Sequence, residues 1–127
     1  MKAGMIAAVA AGGGLGSVAR YFVSQVQNPT WTGFPYGIFL VNVSGGFVMG
    51  VIAELLALRF NVSTEMRAFL TTGIMGGYTT FSTFSLESAL LIQRGAIGTA
   101  ASYVAGSAIL SIAALFAGLW VVRAFYG

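Results

Sequence analysis

Between Ala3 and Phe125 the sequence is four long apolar stretches separated by short polar interruptions. Six basic and three acidic side chains are spread over 127 residues, 7% charged against about 25% in a soluble domain. A water-soluble fold of this size could not cover its surface with so few charges, whereas a lipid-facing surface needs none. A span takes roughly 20 apolar residues, so four spans and their turns use up the chain. The expectation is an all-α integral membrane protein, a single four-helix transmembrane domain over residues 1–127.

The composition also excludes chemistry. There is no Cys, His or Asp. Thiolate and imidazole metal sites, disulfides and a Ser-His-Asp triad are therefore out of reach. The acids Glu54, Glu65 and Glu87 stand too far apart to suggest a carboxylate dyad, so no enzyme is expected. Lys2, Arg20, Arg59, Arg67, Arg94 and Arg123 form no cluster, which argues against nucleic acid as a partner.

The first span runs from about Ala3 to Val26. Ala8-Val9-Ala10 could pass for a signal cleavage site, but the apolar stretch continues past it, and a retained helix is expected. Gln27, Asn28, Pro29, Thr30, Thr32 and Gly33 mark a loop, with Trp31 and Tyr36 suited to the membrane interface. The second span runs from about Pro35 to Leu58. Ser63 and Glu65 fit the start of the third, about Glu65 to Ile92. That span is crowded with Gly73, Gly76, Gly77, Thr79, Thr80, Ser82, Thr83 and Ser85, poor helix material, and a break is expected near Gly76 to Thr80. The fourth runs from about Ala96 to Phe125.

Small residues recur at four-residue spacing in Gly12 and Gly16, Gly46 and Gly50, Gly73 and Gly77, and Ser107 and Ser111. In lipid such pairs let backbones approach closely. Packing within the chain is expected for the first two pairs. Four helices alone could hardly bury every polar residue of the third span, so a homo-oligomer is the economical solution. With alternating helices, Lys2, Arg59, Arg67 and Arg123 fall on one side, and Arg94 and Arg20 on the other. That weak bias allows one orientation or both.

Several residues could carry function. Gly14-Leu15-Gly16-Ser17-Val18-Ala19 matches a dinucleotide fingerprint, but no strand precedes it and no acid follows at the required distance, so it reads as helix packing. Asn42 lies mid-span and needs a partner, either an interhelical hydrogen bond or a polar path. Phe81 and Phe84 sit at i, i+3 among hydroxyl residues that would not all face lipid. An aromatic edge is positive and attracts an anion without a full charge, which would hold a small anion too tightly to release it. Tyr103, Ser107 and Ser111 form a polar stripe on the fourth span, for packing or for lining a path. Glu87 is an intramembrane acid whose bland role is pairing with Arg20 or Arg94. Arg20 either snorkels or makes an entry positive.

The run Gly76-Gly77-Tyr78-Thr79-Thr80-Phe81-Ser82-Thr83-Phe84-Ser85 closely resembles the signature of the Fluc or CrcB fluoride channels. Val41-Asn42-Val43-Ser44-Gly45-Gly46 and Gly13-Gly14-Leu15-Gly16-Ser17-Val18-Ala19-Arg20-Tyr21 resemble that family's second-helix and first-helix motifs. The resemblance implies a dual-topology homodimer in the bacterial inner membrane, with two pores that export fluoride passively. It implies Asn42, Phe81 and Phe84 as pore residues and Tyr103, Ser107 and Ser111 as a polar track. Arg20 and Glu87 are vestibule candidates from their charge and position in the sequence alone. The resemblance also implies a structural sodium ion at the dimer centre, held by the main-chain carbonyls of Gly76 and Thr79 from both subunits. Where Ile38 stands, members of the family often carry a hydroxyl residue.

Two rivals differ in class. A small dual-topology multidrug exporter would hold an acid mid-membrane in its first helix, and this chain has none there. A non-transporting assembly subunit would not need a polar third span. Dual topology is directly testable because the chain lacks Cys. A cysteine placed at Asn28 and treated with an impermeant thiol reagent outside sealed cells should label in about half the molecules if both orientations are equally populated. Labelling of all or of none would contradict dual topology.

Overall fold

The computed structural model describes residues 3–25, 33–58 and 60–126, and among them all regular structure is helical. α1 (Ala3–Ser24) and α2 (Tyr36–Leu58) are unbroken and long and apolar enough to cross a membrane. The third apolar stretch is assembled from shorter pieces. α3 (Thr64–Ala68) runs into a π-helical segment (Phe69–Met75), then α4 (Gly76–Tyr78). After non-helical Thr79, Thr80 and Phe81, α5 (Ser82–Gln93) resumes. α6 (Ile97–Tyr126) is the third unbroken helix of spanning length. The ends of α1, α2 and α6 match the apolar stretches to within one or two residues. Lys2, Arg59 and the expected loop residues Gln27, Asn28, Pro29, Thr30, Trp31 and Thr32 lie outside the described residues, as does Val26.

Local chemistry sets the boundaries. Ser63 caps α3, its hydroxyl accepting the Met66 amide at 3.0 Å, with Glu65 in the first turn. Gly95, at φ 79°, supplies the left-handed residue that turns the chain from α5 into α6. In the π segment the Gly76 amide reaches back to Thr71 O, one residue further than in an α-helix.

The break falls at the C-terminal end of its expected range. Gly76 and Gly77 are helical, and the chain leaves the helix at Thr79, which is extended at φ −81°, ψ 157°. Helix propensity argues against two adjacent glycines, but packing overrides it. A side chain at Gly77 would come within 2.5 Å of the Gly13 carbonyl oxygen. The glycine is there so that α4 and α1 can touch.

That contact belongs to a wider pattern. Gly12, Gly13 and Gly16 of α1 lie against Gly73, Ile74, Gly77 and Tyr78, backbone on backbone. Gly46, Gly50 and Gly118 join α2 to α6 in the same way, against Ser111, Leu115 and Phe47. In both pairs the residue numbers rise together, so the paired segments run parallel. Chain alternation demands this if each stretch crosses the membrane once. With no hydrophobic effect to drive helices together in lipid, close backbone approach supplies the dispersion that holds them. The Gly12/Gly16 and Gly46/Gly50 pairs thus pack within the chain as expected, and Gly73/Gly77 do as well.

One ion pair is present among the described residues, between Glu54 of α2 and Arg123 in the last turn of α6. Glu54 is buried, and Arg123 is its partner there. The pair pins the same two helices that the glycines bring together. Glu87 pairs with neither Arg20 nor Arg94.

The close contacts give a sharp stability test. Gly16→Ala would press a methyl onto the Ile74 carbonyl and the Tyr78 amide, so it should destabilise the protein by about 1–3 kcal/mol. Gly14→Ala meets nothing within 4 Å and should be neutral or stabilising by about 0.5–1 kcal/mol. Thermal unfolding in detergent measures both, and equal effects would show that α1 does not pack through Gly16.

Candidate functional site

The site is built around the break in the third stretch. Thr80 N–H donates to Asn42 Oδ1 across 3.1 Å, tying the break to the middle of α2. An N–H can be met only by the amide oxygen, so this bond fixes which way the Asn42 side chain faces. The Asn42 NH₂ group is left as a pair of donors. In a continuous helix Thr80 N–H would serve the Gly76 carbonyl, which here loses that donor.

Further hydrogen bonds hold the break on both sides. The Thr83 amide donates to Thr80 Oγ1 at 3.1 Å, which caps the start of α5. Thr79 donates its hydroxyl to Met75 O at 2.9 Å and its amide to the same oxygen at 3.0 Å. Ser85 and Ser88 turn their hydroxyls back onto the Phe81 and Phe84 carbonyls, each at 2.8 Å. These hydroxyls are therefore occupied as donors.

An open groove of about 490 Å³ runs between α2, the break and α6. Asn42, Gly76, Thr79, Phe81, Phe84, Ser107 and Ser111 all line it, so residues far apart in sequence meet on one surface. Phe81 and Phe84 neighbour each other with ring centroids 5.7 Å apart, although Phe81 precedes α5 and does not share its helical face. Phe81 is 78% exposed. On α6, Ser107 and Ser111 carry buried hydroxyls with no hydrogen-bond partner, and so does Tyr103. Leaving a buried hydroxyl unmet costs about 1–3 kcal/mol, so three in sequence along one helix call for a ligand or solvent.

Tyr103 does not line the groove. It is fully buried behind it, its ring edge-on to Phe34 at 5.5 Å and tilted against Phe84 at 5.1 Å. Ile38 is buried in the same cluster with Leu91 and Ala100. Arg20 and Glu87 are also off the groove. Glu87 shares with Arg94, Gly33 and Pro35 a separate cavity of about 180 Å³.

Two features were not anticipated. Thr80 is the pivot of the break, and the clue was its spacing of three from Thr83, the spacing of a hydroxyl cap. Ser44 and Tyr78 share a 2.8 Å hydroxyl contact that no local spacing reveals, because it joins residues 34 apart.

Comparison with known proteins places this architecture. The profile of a family described as CrcB-like protein, Camphor Resistance (CrcB), matches residues 7–119. A protein of Rhodospirillum centenum named fluoride-specific ion channel FluC is 55% identical over 121 residues, covering 94% of this chain and 95% of that protein. A Caulobacter vibrioides protein of the same name is 57% identical over 120 residues, with 91% and 92% covered. An Agrobacterium fabrum protein, also so named, is 49% identical over 122 residues, with 93% and 95% covered. A match over most of the chain, together with near full-length identity of about half, means that this protein belongs to the CrcB family.

Proposed function

We propose that the chain is a fluoride-selective channel, not an enzyme, through which fluoride leaves the cell passively. The observation that carries the reading is the pair of buried, unpartnered hydroxyls at Ser107 and Ser111 on the groove, with the equally unpartnered hydroxyl of Tyr103 behind it. Fluoride is small and strongly hydrated. A pore must replace its water with many donors of modest strength, without a full charge that would trap it. The Asn42 NH₂, the hydroxyls and the positive edges of Phe81 and Phe84 are donors of that kind. The conjugate acid of fluoride crosses membranes neutral and ionises inside, so a passive leak for the anion lowers its internal concentration. The names of the relatives agree with this reading.

The functional unit is a dual-topology homodimer in the bacterial inner membrane, with two pores. Each chain is one transmembrane domain of four spans, the third crossing as the broken stretch from Thr64 to Gln93. Irregular backbone at membrane depth is tolerated only when protein covers it, and an antiparallel partner laid over the open groove would do so. Arg20 and Glu87 stand toward the opposite end from Arg123 and serve as vestibule residues. A structural sodium ion at the dimer centre would be held by the main-chain oxygens of Gly76 and Thr79 of both subunits. Two features support the fit: the Gly76 carbonyl has lost its helical donor, and the Thr79 hydroxyl is already bonded, leaving its main-chain oxygen as the ligand. When bound, sodium would supply a positive charge that draws main-chain oxygens of the two subunits together.

Two experiments follow. Phe81→Ile keeps roughly the volume and removes the quadrupole, and Asn42→Asp replaces donors by a repelling charge. Both variants should assemble and lose most fluoride flux from liposomes, whereas unchanged flux per folded dimer would retire the pore assignment. Tyr103→Phe and Ser111→Ala remove hydroxyls that hold no protein bond, so thermal stability should stay within about 1 kcal/mol of wild type or rise. Fluoride flux should nevertheless fall. A large loss of stability with flux per dimer intact would assign these hydroxyls to packing.

A further inference from the structure

We infer that Asn42 is a positioning residue for the central cation as well as a donor in the anion path, and that one hydrogen bond couples the two. The inference rests on reading the chain as a sodium-bridged fluoride channel. Its geometry is Thr80 N–H on Asn42 Oδ1 at 3.1 Å. A helix running on past Tyr78 would give that N–H to the Gly76 carbonyl. The Asn42 oxygen takes it instead. The Gly76 carbonyl thereby lacks its helical donor at a residue that lines the groove, and Thr79 beside it is held extended, out of the helical ladder.

The coupling follows from the two ends of one side chain. Oδ1 is committed to the break, so the amide plane cannot rotate freely, and the NH₂ donors are held toward the groove. Thr80 is clamped from both sides, its amide by Asn42 and its hydroxyl by the Thr83 amide at 3.1 Å. Releasing the Asn42 end would let the Thr80 N–H return to Gly76, and the cation would then compete with a helical hydrogen bond for that carbonyl. No acidic, histidine or cysteine cluster among the described residues offers the cation another seat.

Substitutions at Asn42 separate the two roles. Asn42→Asp keeps an acceptor for Thr80 N–H and loses the amide donors. Asn42→Ala loses both, and Asn42→Ser, too short to reach Thr80, replaces it should the alanine variant not assemble. Three readouts apply to the purified dimer: hydrogen exchange at the Thr80 amide, the unfolding midpoint in sodium chloride against N-methyl-D-glucamine chloride, and fluoride flux from liposomes. The aspartate variant should keep Thr80 protection and the sodium response while losing flux. The alanine or serine variant should exchange Thr80 about tenfold faster or more, and should need about tenfold more sodium for half-maximal stabilisation or show none. Wild-type Thr80 protection and sodium response in the alanine or serine variant would overturn the inference, as would loss of both in the aspartate variant. A wild type whose stability ignores sodium, yet which conducts fluoride, overturns the coupling and leaves the channel standing. A wild type that does not conduct fluoride strikes the proposed function, and Thr80 exchange and sodium midpoints then still judge the clamp.

Discussion

Inside a bilayer no water is at hand to meet a free backbone N–H, and a helix broken at mid-depth exposes several. The bond from Thr80 N–H to Asn42 Oδ1 answers that demand at the centre of this molecule. It lets the third stretch stop being a helix where it must, and it brings α2 to the break. The Thr80 hydroxyl then restarts the helix by capping Thr83. With the break fixed, Phe81 and Phe84 emerge beside Asn42, opposite Ser107 and Ser111.

The glycines make that arrangement possible from outside the groove. Backbone contact of Gly73 and Gly77 with α1 holds the third stretch helical right up to the break, despite the poor propensity of glycine. Contact of Gly46 and Gly50 with α6 sets the distance between Asn42 and the serine hydroxyls. The Glu54–Arg123 pair locks the same two helices near one end. The packing is thus a frame on two sides, and between them Asn42, Ser107 and Ser111 are gathered on the groove.

Much of this was legible in the residues. Sparse charge and the lengths of the apolar stretches gave three unbroken helices with ends accurate to one or two residues. Gly12, Gly16, Gly46 and Gly50 announced close packing through their spacing. The stripe at Ser107 and Ser111 follows from helical periodicity alone. What depended on tertiary contact was less visible. The break lies at Thr79 to Phe81 because the glycines before it are held by α1, a restraint that propensity does not contain. The π-helical turn at Phe69–Met75 has no local signature. Tyr103 shares the periodicity of the serine stripe but sits behind Phe84, since the phenylalanine emerging from the break covers it.

The donors gathered around Asn42 should pass fluoride in preference to larger anions. Purified protein in liposomes loaded with equal potassium fluoride or potassium chloride, with potassium made permeable to balance charge, measures this directly. Fluoride should leave rapidly and only where the protein is present, while chloride stays inside. Efflux of both anions at comparable rates, or of neither, would contradict a fluoride-selective path.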